Sequence, residues 1–465
     1  MVYMRELEYV CIKKLATILC LILLASCNSI PTMVPDMQMQ PSHPVQLEGA
    51  HGPLTSIQSK AILARLKKNA DDTNIFDKHL ALEAEIVGSP LVVGNKVELL
   101  VDGPTTYDAM LTAIENSKDN INMESFTIED DEIGQRFAKL LISKQQSGVQ
   151  VNLIYDSVGS ISTPKAFFKT LQENGINVLE FDPINPLNAS KGWQVNRRDH
   201  RKLLVVDGQI AFVGGVNISS VYSSGSFGRL KPTKGKTKWR DTDLRIAGPV
   251  VSEFQKLFMA TWNEQKGGAL ASRNYFPEPS NKGNEVVRAI GSSPEEPYSQ
   301  MYVTLLSAIN SAETQVLLTN AYFVPDPQLL ASLKEAVQRG VDVRLLLPDK
   351  TDSDLVFHAS RSYYDELLSA GVKIYERQDA LLHAKTALID GVWSTIGSTN
   401  LDWRSFTNNQ EINAVILGQD FGQQMQDIFE KDLGSSKLIT LKEWRERSIG
   451  ARIKEKAARL WARFL

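Results

Sequence analysis

One pattern, present twice, constrains this chain more than any other. Residues 200–207 read HRKLLVVD and residues 383–390 read HAKTALID, while GGVN at 214–217 is answered by GSTN at 397–400. Four polar residues thus recur at a single offset of 183: His200 and His383, Lys202 and Lys385, Asp207 and Asp390, Asn217 and Asn400. A lone His-x-Lys arises easily by chance, but two copies with the same downstream Asp and Asn, in a chain holding six histidines, do not. The surroundings repeat as well. A short apolar strand, a helix closed by Gly and a second strand occur around Gly148-Val149-Gln150-Val151 and again around Gly340-Val341-Asp342-Val343. That is the strand–helix–strand signature of an α/β domain, duplicated in tandem, and such pairs place a shared site at their interface.

The spacing carries the chemistry. His-x-Lys ahead of an apolar run lies on a strand, so the imidazole and the ammonium point to one face. A turn through Gly208 or Gly391 returns a strand whose Asn reaches the same face. Two halves facing each other across a pseudo-two-fold axis would surround a phosphate with two lysines, two amides and two titratable imidazoles. Such a site can transfer a phosphoryl group with the lysines supplying charge stabilisation. A lysine between prospective ligands opposes zinc, and neither a metal nor another cofactor is expected. His43, His51, His79 and His358 lack this setting and read as surface or packing residues.

These motifs, with MESFTIEDDEIGQRF at 123–137, YDSVGS at 155–160, WRDTDLRIAGPVV at 239–251 and LLHAKTALIDGVWSTIGSTNLDWRSFTNNQEINAVI at 381–416, resemble the phospholipase D superfamily, and within it bacterial cardiolipin synthases. The resemblance spans roughly residues 95–465. It implies tandem phospholipase D-like α/β sandwich domains, with mixed sheets flanked by helices, and one active site between them. It implies a covalent phosphohistidine, with His200 as nucleophile and His383 as general acid and base; the near-symmetric motifs alone cannot make that assignment. Glu411 and Asp241 match the carboxylates that orient the imidazoles, with Asp243 a rival for the latter. Asp207 and Asp390 count among the catalytic candidates but read as braces for loops beside the site. Ser398 is expected to add a phosphate hydrogen bond that Gly215, its counterpart, cannot make. The implied reaction joins two phosphatidylglycerols into cardiolipin and glycerol; hydrolysis to phosphatidic acid uses the same groups and stays open, as does, more remotely, nuclease action.

The remaining features concern attachment. All three cysteines, Cys11, Cys20 and Cys27, fall in the first 27 residues, which excludes a disulfide framework in the body. Residues 15–26, LATILCLILLAS, are too short to span a bilayer but fit a signal-peptide core. Leu24-Ala25-Ser26-Cys27 resembles a lipobox, so Cys27 is the expected lipidation site of an extracytoplasmic, membrane-anchored bacterial lipoprotein, in the inner or the outer membrane. The expected layout is a signal peptide at 1–26, a Pro-rich tether at 27–60, a first domain at 61–285, a second at 286–436 and a basic amphipathic helix at 437–465. Residues 441–465 hold eight basic and three acidic residues, an interfacial pattern or a docked terminal helix. Between Asn217 and Asp241 an insertion carries Arg229, Lys231, Lys234, Lys236, Lys238 and Arg240, readable as a solvated loop or as a basic flap whose Lys236 and Lys238 meet anionic headgroups. The net charge of -3 argues against nucleic acid as a partner. The expected partners are phosphatidylglycerol, a membrane surface and glycerol or a lipid hydroxyl as acceptor, met by a monomer.

Overall fold

The computed structural model describes residues 45–68, 73–184, 194, 196–224 and 238–465. The signal peptide, Cys27 and Lys236, with most of the basic insertion, lie outside these residues.

The first half forms a seven-stranded mixed sheet. Its strands are β3 (Leu91–Val101), β4 (Asn120–Ser125), β5 (Gln150–Asp156), β6 (Asn177–Phe181), β8 (Lys202–Val206), β9 (Ile210–Gly214) and β11 (Thr242–Ala247). The order is β6-β5-β4-β8-β9-β11-β3, parallel across β6, β5 and β4 and antiparallel beyond. The second half repeats it strand for strand with β12 (Glu285–Ser292), β13 (Gln315–Thr319), β14 (Asp342–Pro348), β15 (Lys373–Arg377), β17 (Thr386–Ile389), β18 (Trp393–Gly397) and β19 (Asn409–Leu417). There the order is β15-β14-β13-β17-β18-β19-β12. Strands β3 and β12 pair antiparallel and join the two sheets edge to edge.

Apolar residues of both sheets, among them Val205 and Val213 from the first and Leu388, Ile396 and Ala414 from the second, meet in one core with Phe254, Phe258 and Phe429. Helices cover the outer faces, Asp102–Asn116 and Glu132–Gln146 on the first sheet, Gln300–Ser311 and Pro327–Gln338 on the second. Their caps are legible in the sequence: Asp131 accepts from the amides of Ile133 and Gly134, Asp326 from those of Gln328 and Leu329. This is the expected duplicated α/β architecture.

The expected layout needs three corrections. Residues 45–60 are not all tether. Leu47–Gly49 runs parallel to the start of β3, the Leu47 amide donates to Ser59 Oγ, and a helix spans Ser56–Lys68. Pro53 lies on the two-residue edge strand Gly52–Pro53 that pairs with Leu47–Gly49, where a missing donor costs little. Next, Leu47, Ile75, Phe76, Leu80, Val87 and Leu91 are buried with Val303, Leu305 and Val316, so the segment assigned to the first domain packs on the second. Last, Ser436–Ile439 is an edge strand on β15, and the following segment is two helices, Leu441–Glu446 and Ile449–Arg459, broken at Arg447 and Ser448.

Candidate active site

Each motif begins on a two-residue strand that pairs with a strand of the other half. Arg198–Asp199 runs parallel to Asn409–Gln410, and the His200 amide donates to Gln410 O at 3.0 Å. Trp239–Arg240 runs parallel to Leu381–Leu382, and the His383 amide donates to Arg240 O at 2.7 Å. The residue after each acceptor is a carboxylate. Glu411 therefore meets His200, with Nδ1 3.0 and 3.1 Å from its two oxygens, and Asp241 meets His383, with Nδ1 2.7 Å from Oδ2. The pairs are crossed, each half supplying the acid for the other half's base. Both imidazoles are almost fully buried, and a proton on Nδ1 donated to the carboxylate leaves the Nε2 lone pair facing away from it.

Lys202 and Lys385 follow on the same strand faces, and each Nζ donates to the carbonyl of the histidine two residues before it. Lys385 Nζ also lies 3.0 Å from His383 Nδ1. Burial pulls Lys202 down to about 7 and Lys385 to about 8. It also lowers both histidines, His200 to about 4, and each imidazole is lowered further by the charge of both lysines. Two lysines and two imidazoles, all held below their usual range, thus converge on one site, as the duplicated spacing required. Burial alone would raise the two carboxyls, but His200 and Lys202 hold Glu411 below its usual range, and His383 and Lys385 do the same for Asp241.

The remaining candidates divide sharply. Asn217 donates from Nδ2 to Tyr222 Oη at 3.1 Å and accepts from the Thr127 amide, while Asn400 Oδ1 is buried without a partner. Asp243 does not touch an imidazole. It accepts from the Val216 amide at 3.0 Å, and burial, then the charge of Asp241, pushes it up to about 8. Asp207 and Asp390 sit beyond the far ends of their strands, about 20 Å along the chain from the histidines. There Asp207 accepts from the amides of Lys118, Asp119 and Asn120, and Asp390 from those of Glu313, Thr314 and Gln315. Each opens a hairpin turn with two positive φ values, 53° and 62° at Asp207-Gly208 and 51° and 67° at Asp390-Gly391.

Two expectations, for Ser398 and for Arg240, fail at the level of contacts. Ser398 Oγ is spent on Glu411 and accepts from the Ile412 amide, which removes its donor from any phosphate. Gly215 is there for room: a Cβ would stand 2.2 Å from Asp241 Oδ1. Arg240, counted with the basic flap, is buried and paired with Asp432. Lys238 is half-buried, and its carbonyl accepts from the Leu381 amide.

Sequence reasoning missed the rings. Tyr222, Trp239 and Tyr322 stand 5.8, 5.3 and 6.3 Å from the His383 ring, whereas among the described residues Phe126 alone packs on His200, at 5.0 Å. The available signal was position, since Tyr222 and Trp239 bracket the basic insertion. Among the described residues no group of three His, Cys, Asp or Glu side chains is placed to hold a metal ion.

Comparison with known proteins agrees with this geometry. The family model described as "Cardiolipin synthase, PLD-like domain" matches residues 110–226 and 305–433. Cardiolipin synthase of Listeria monocytogenes serotype 4a is 36% identical over 376 residues, covering 80% of this chain and 76% of that protein. The cardiolipin synthase of Geobacillus kaustophilus is 34% identical over 383 residues, 82% of this chain and 74% of the relative. In fold, phosphatidylserine synthase of Haemophilus influenzae aligns with a TM-score of 0.58 at 14% identity, covering 79% of this chain and 95% of that one. The protein is an enzyme of the phospholipase D superfamily, and the chain belongs to its cardiolipin synthase family.

Proposed function

We propose that the enzyme transfers a phosphatidyl group from one phosphatidylglycerol to a hydroxyl of another, giving cardiolipin and glycerol. The observation that carries this reading is the crossed pair of buried imidazole–carboxylate units beside two buried lysines. A phosphodiester anion between them raises the proton affinity of the lysines and of the histidine that must begin as an acid.

In the first step His200 Nε2 attacks phosphorus. A P–N bond forms, the P–O bond to the glycerol headgroup breaks, and His383 gives its proton to the departing oxygen. In the second, a hydroxyl of the second phosphatidylglycerol gives its proton to His383 and attacks phosphorus; the new P–O bond forms as the P–N bond breaks. Lys202 and Lys385 stabilise the equatorial oxygens throughout, while Glu411 and Asp241 hold the rings in one tautomer. Water in place of the second lipid would yield phosphatidic acid. The lipidated Cys27 belongs to the same reading and holds the enzyme at the membrane that contains its substrate.

Detergent-solubilised enzyme incubated with labelled phosphatidylglycerol, its products separated by thin-layer chromatography, tests this directly. Cardiolipin with one glycerol per turnover is expected. Phosphatidic acid as the sole product would make the enzyme a hydrolase.

A further inference from the structure

The segment after β19 ends in a helix turned the opposite way from a helix that completes a core. Ile449–Arg459 buries Glu455 and Ala458, and Ala462 in the next turn, against the helices Asp354–Arg361 and Trp403–Thr407, and it exposes its large apolar residues. Ile449, Ile453 and Leu460 are 75, 62 and 80% exposed, and Trp461 and Phe464 continue the patch. Positions 449, 453, 456 and 460 lie along one stripe of the helix, with Lys456 between the isoleucines and the leucine. The attachment beneath is specific. Arg447 pairs with Glu455 at 2.7 Å and stacks on buried Trp444, whose other side receives Arg361.

Charge runs with the stripe. Residues 441–465 carry eight basic against three acidic residues in a chain of net charge -3. Lys454 and Lys456 make no ion pair among the described residues. Beside the stripe, Arg445, Arg447, Arg452, Lys456 and Arg459 share a groove of about 490 Å³ with three carboxylates. A second copy of the chain, acidic overall, would meet the basic residues but leave an isoleucine–leucine–tryptophan stripe without a matching groove. A bilayer with anionic headgroups satisfies both.

Position ties the patch to the active site. The Arg404 amide donates to Leu465 O at 2.8 Å, four residues after Asn400, and the Arg404 guanidinium reaches Asn196 O, four residues before His200. The segments after the equivalent strands β5 and β14 add exposed Val158 and Ile161 from a loop and Leu355 from the first turn of Asp354–Arg361, at the same strand ends as the histidines.

From these observations we infer that the segment 449–464 is an interfacial foot: its Ile449–Ile453–Leu460–Trp461–Phe464 stripe enters the headgroup boundary of an anionic bilayer, Lys454 and Lys456 meet lipid phosphates, and the active-site mouth is thereby set against the membrane. The inference rests on a lipid-borne substrate, but its test does not use turnover. The full-length protein is mixed with vesicles of dibrominated phosphatidylcholine containing roughly one third phosphatidylserine, and the tryptophan emission of wild type is compared with that of Trp461→Phe. The difference isolates Trp461. Bromine is expected to remove at least half of that difference signal. Lys454→Glu combined with Lys456→Glu should return the quenching towards the level on neutral vesicles, and Ile453→Ser with Leu460→Ser should abolish it. A Trp461 contribution that bromolipid leaves unchanged, with wild type bound to the same vesicles, would overturn the foot while leaving the proposed reaction intact. Quenching indifferent to both double variants would overturn it equally.

Discussion

His200 and His383 occupy equivalent places in equivalent sheets, yet they are housed differently. Among the described residues His200 has one aromatic neighbour, Phe126, and a Glu411 carboxylate braced by Ser398 and by Asn409 Nδ2 at 3.2 Å. His383 is enclosed by Tyr222, Trp239 and Tyr322, and its shorter partner Asp241 lies against Gly215, where no side chain fits. The backbone exchange and the charges obey the pseudo-two-fold; the rings do not. Duplication thus supplies two like bases, and packing makes them unlike. A ring held by a doubly braced carboxylate suits attack on phosphorus, and a ring walled by aromatics suits passing a proton to and fro with little competition from water.

The comparison is broken most severely by removing either ring. His200→Ala and His383→Ala should each lower turnover by more than about a thousandfold, and the double variant should be scarcely worse, because the two act as a unit. With a substrate bearing a good leaving group, acid-quenched His383→Ala should still trap label on residue 200. Label on residue 383 in His200→Ala, with none in the reverse case, would exchange the two roles. Next in size are the crossed acids. Glu411→Gln and Asp241→Asn should each cost on the order of a hundredfold or more in kcat with little change in KM. Only Glu411→Gln should slow the trapping of label, and equal slowing by both would show that the environments are interchangeable.

Tyr222→Phe is expected to be milder. It leaves Asn217 Nδ2 without its acceptor beside His383, about tenfold in kcat, with label trapping at His200 unchanged. The pH test sets Asp243 against Asp241. Asp243 keeps its proton in the folded protein up to about 8, whereas the unfolded chain releases it near the ordinary aspartate value. Between those limits the unfolded state holds fewer protons, so Asp243 contributes stability that is lost as pH rises. Asp243→Asn should therefore melt progressively higher than wild type as pH climbs from about 4 to about 8, with a constant gap above. A gap that shrank over that range would mean Asp243 is a structural anion. The smallest effect on turnover belongs to Asp207→Asn and Asp390→Asn, which should retain catalysis to within a few-fold while losing about 1–3 kcal/mol of stability, read from denaturant midpoints.

What the sequence disclosed follows from periodicity. His200, Lys202, His383 and Lys385 were legible because spacing on a strand fixes the face, and the duplicated sheets because apolar runs and helix caps recur in the same order. Asp207 and Asp390 brace loops, as expected, but not beside the site: strands of five and four residues carry them away from the imidazoles, and neither reaches the reacting groups it was grouped with as catalytic. Crossing was not legible. Arg198–Asp199 and Trp239–Arg240 are strands of two residues, too short to leave a pattern, and their pairing with the opposite half is a tertiary choice. Ser398 misled because a hydroxyl near a phosphate site has the right chemistry for the ligand and for Glu411 alike. The stretch 45–60 misled through composition, since Leu47, its one fully buried apolar residue, and half-buried Val45 and Leu54 are scattered among polar residues.

The crossed strands bear on the protein's history. A chain holding only one half would own a histidine without its acid and an acid without its histidine, and it would be inert as a single copy. Two such chains, meeting edge to edge as β3 meets β12, would complete both pairs at once. Joining them into one polypeptide keeps this mutual dependence and frees the copies to differ. Each half can then accept a change at its histidine only with the consent of a residue encoded far away in the other: Glu411 lies 211 residues from His200, and Asp241 lies 142 from His383. Inheritance of this active site is therefore a matter of linkage between distant codons, and neither half can be exchanged as a module without carrying the other's acid along.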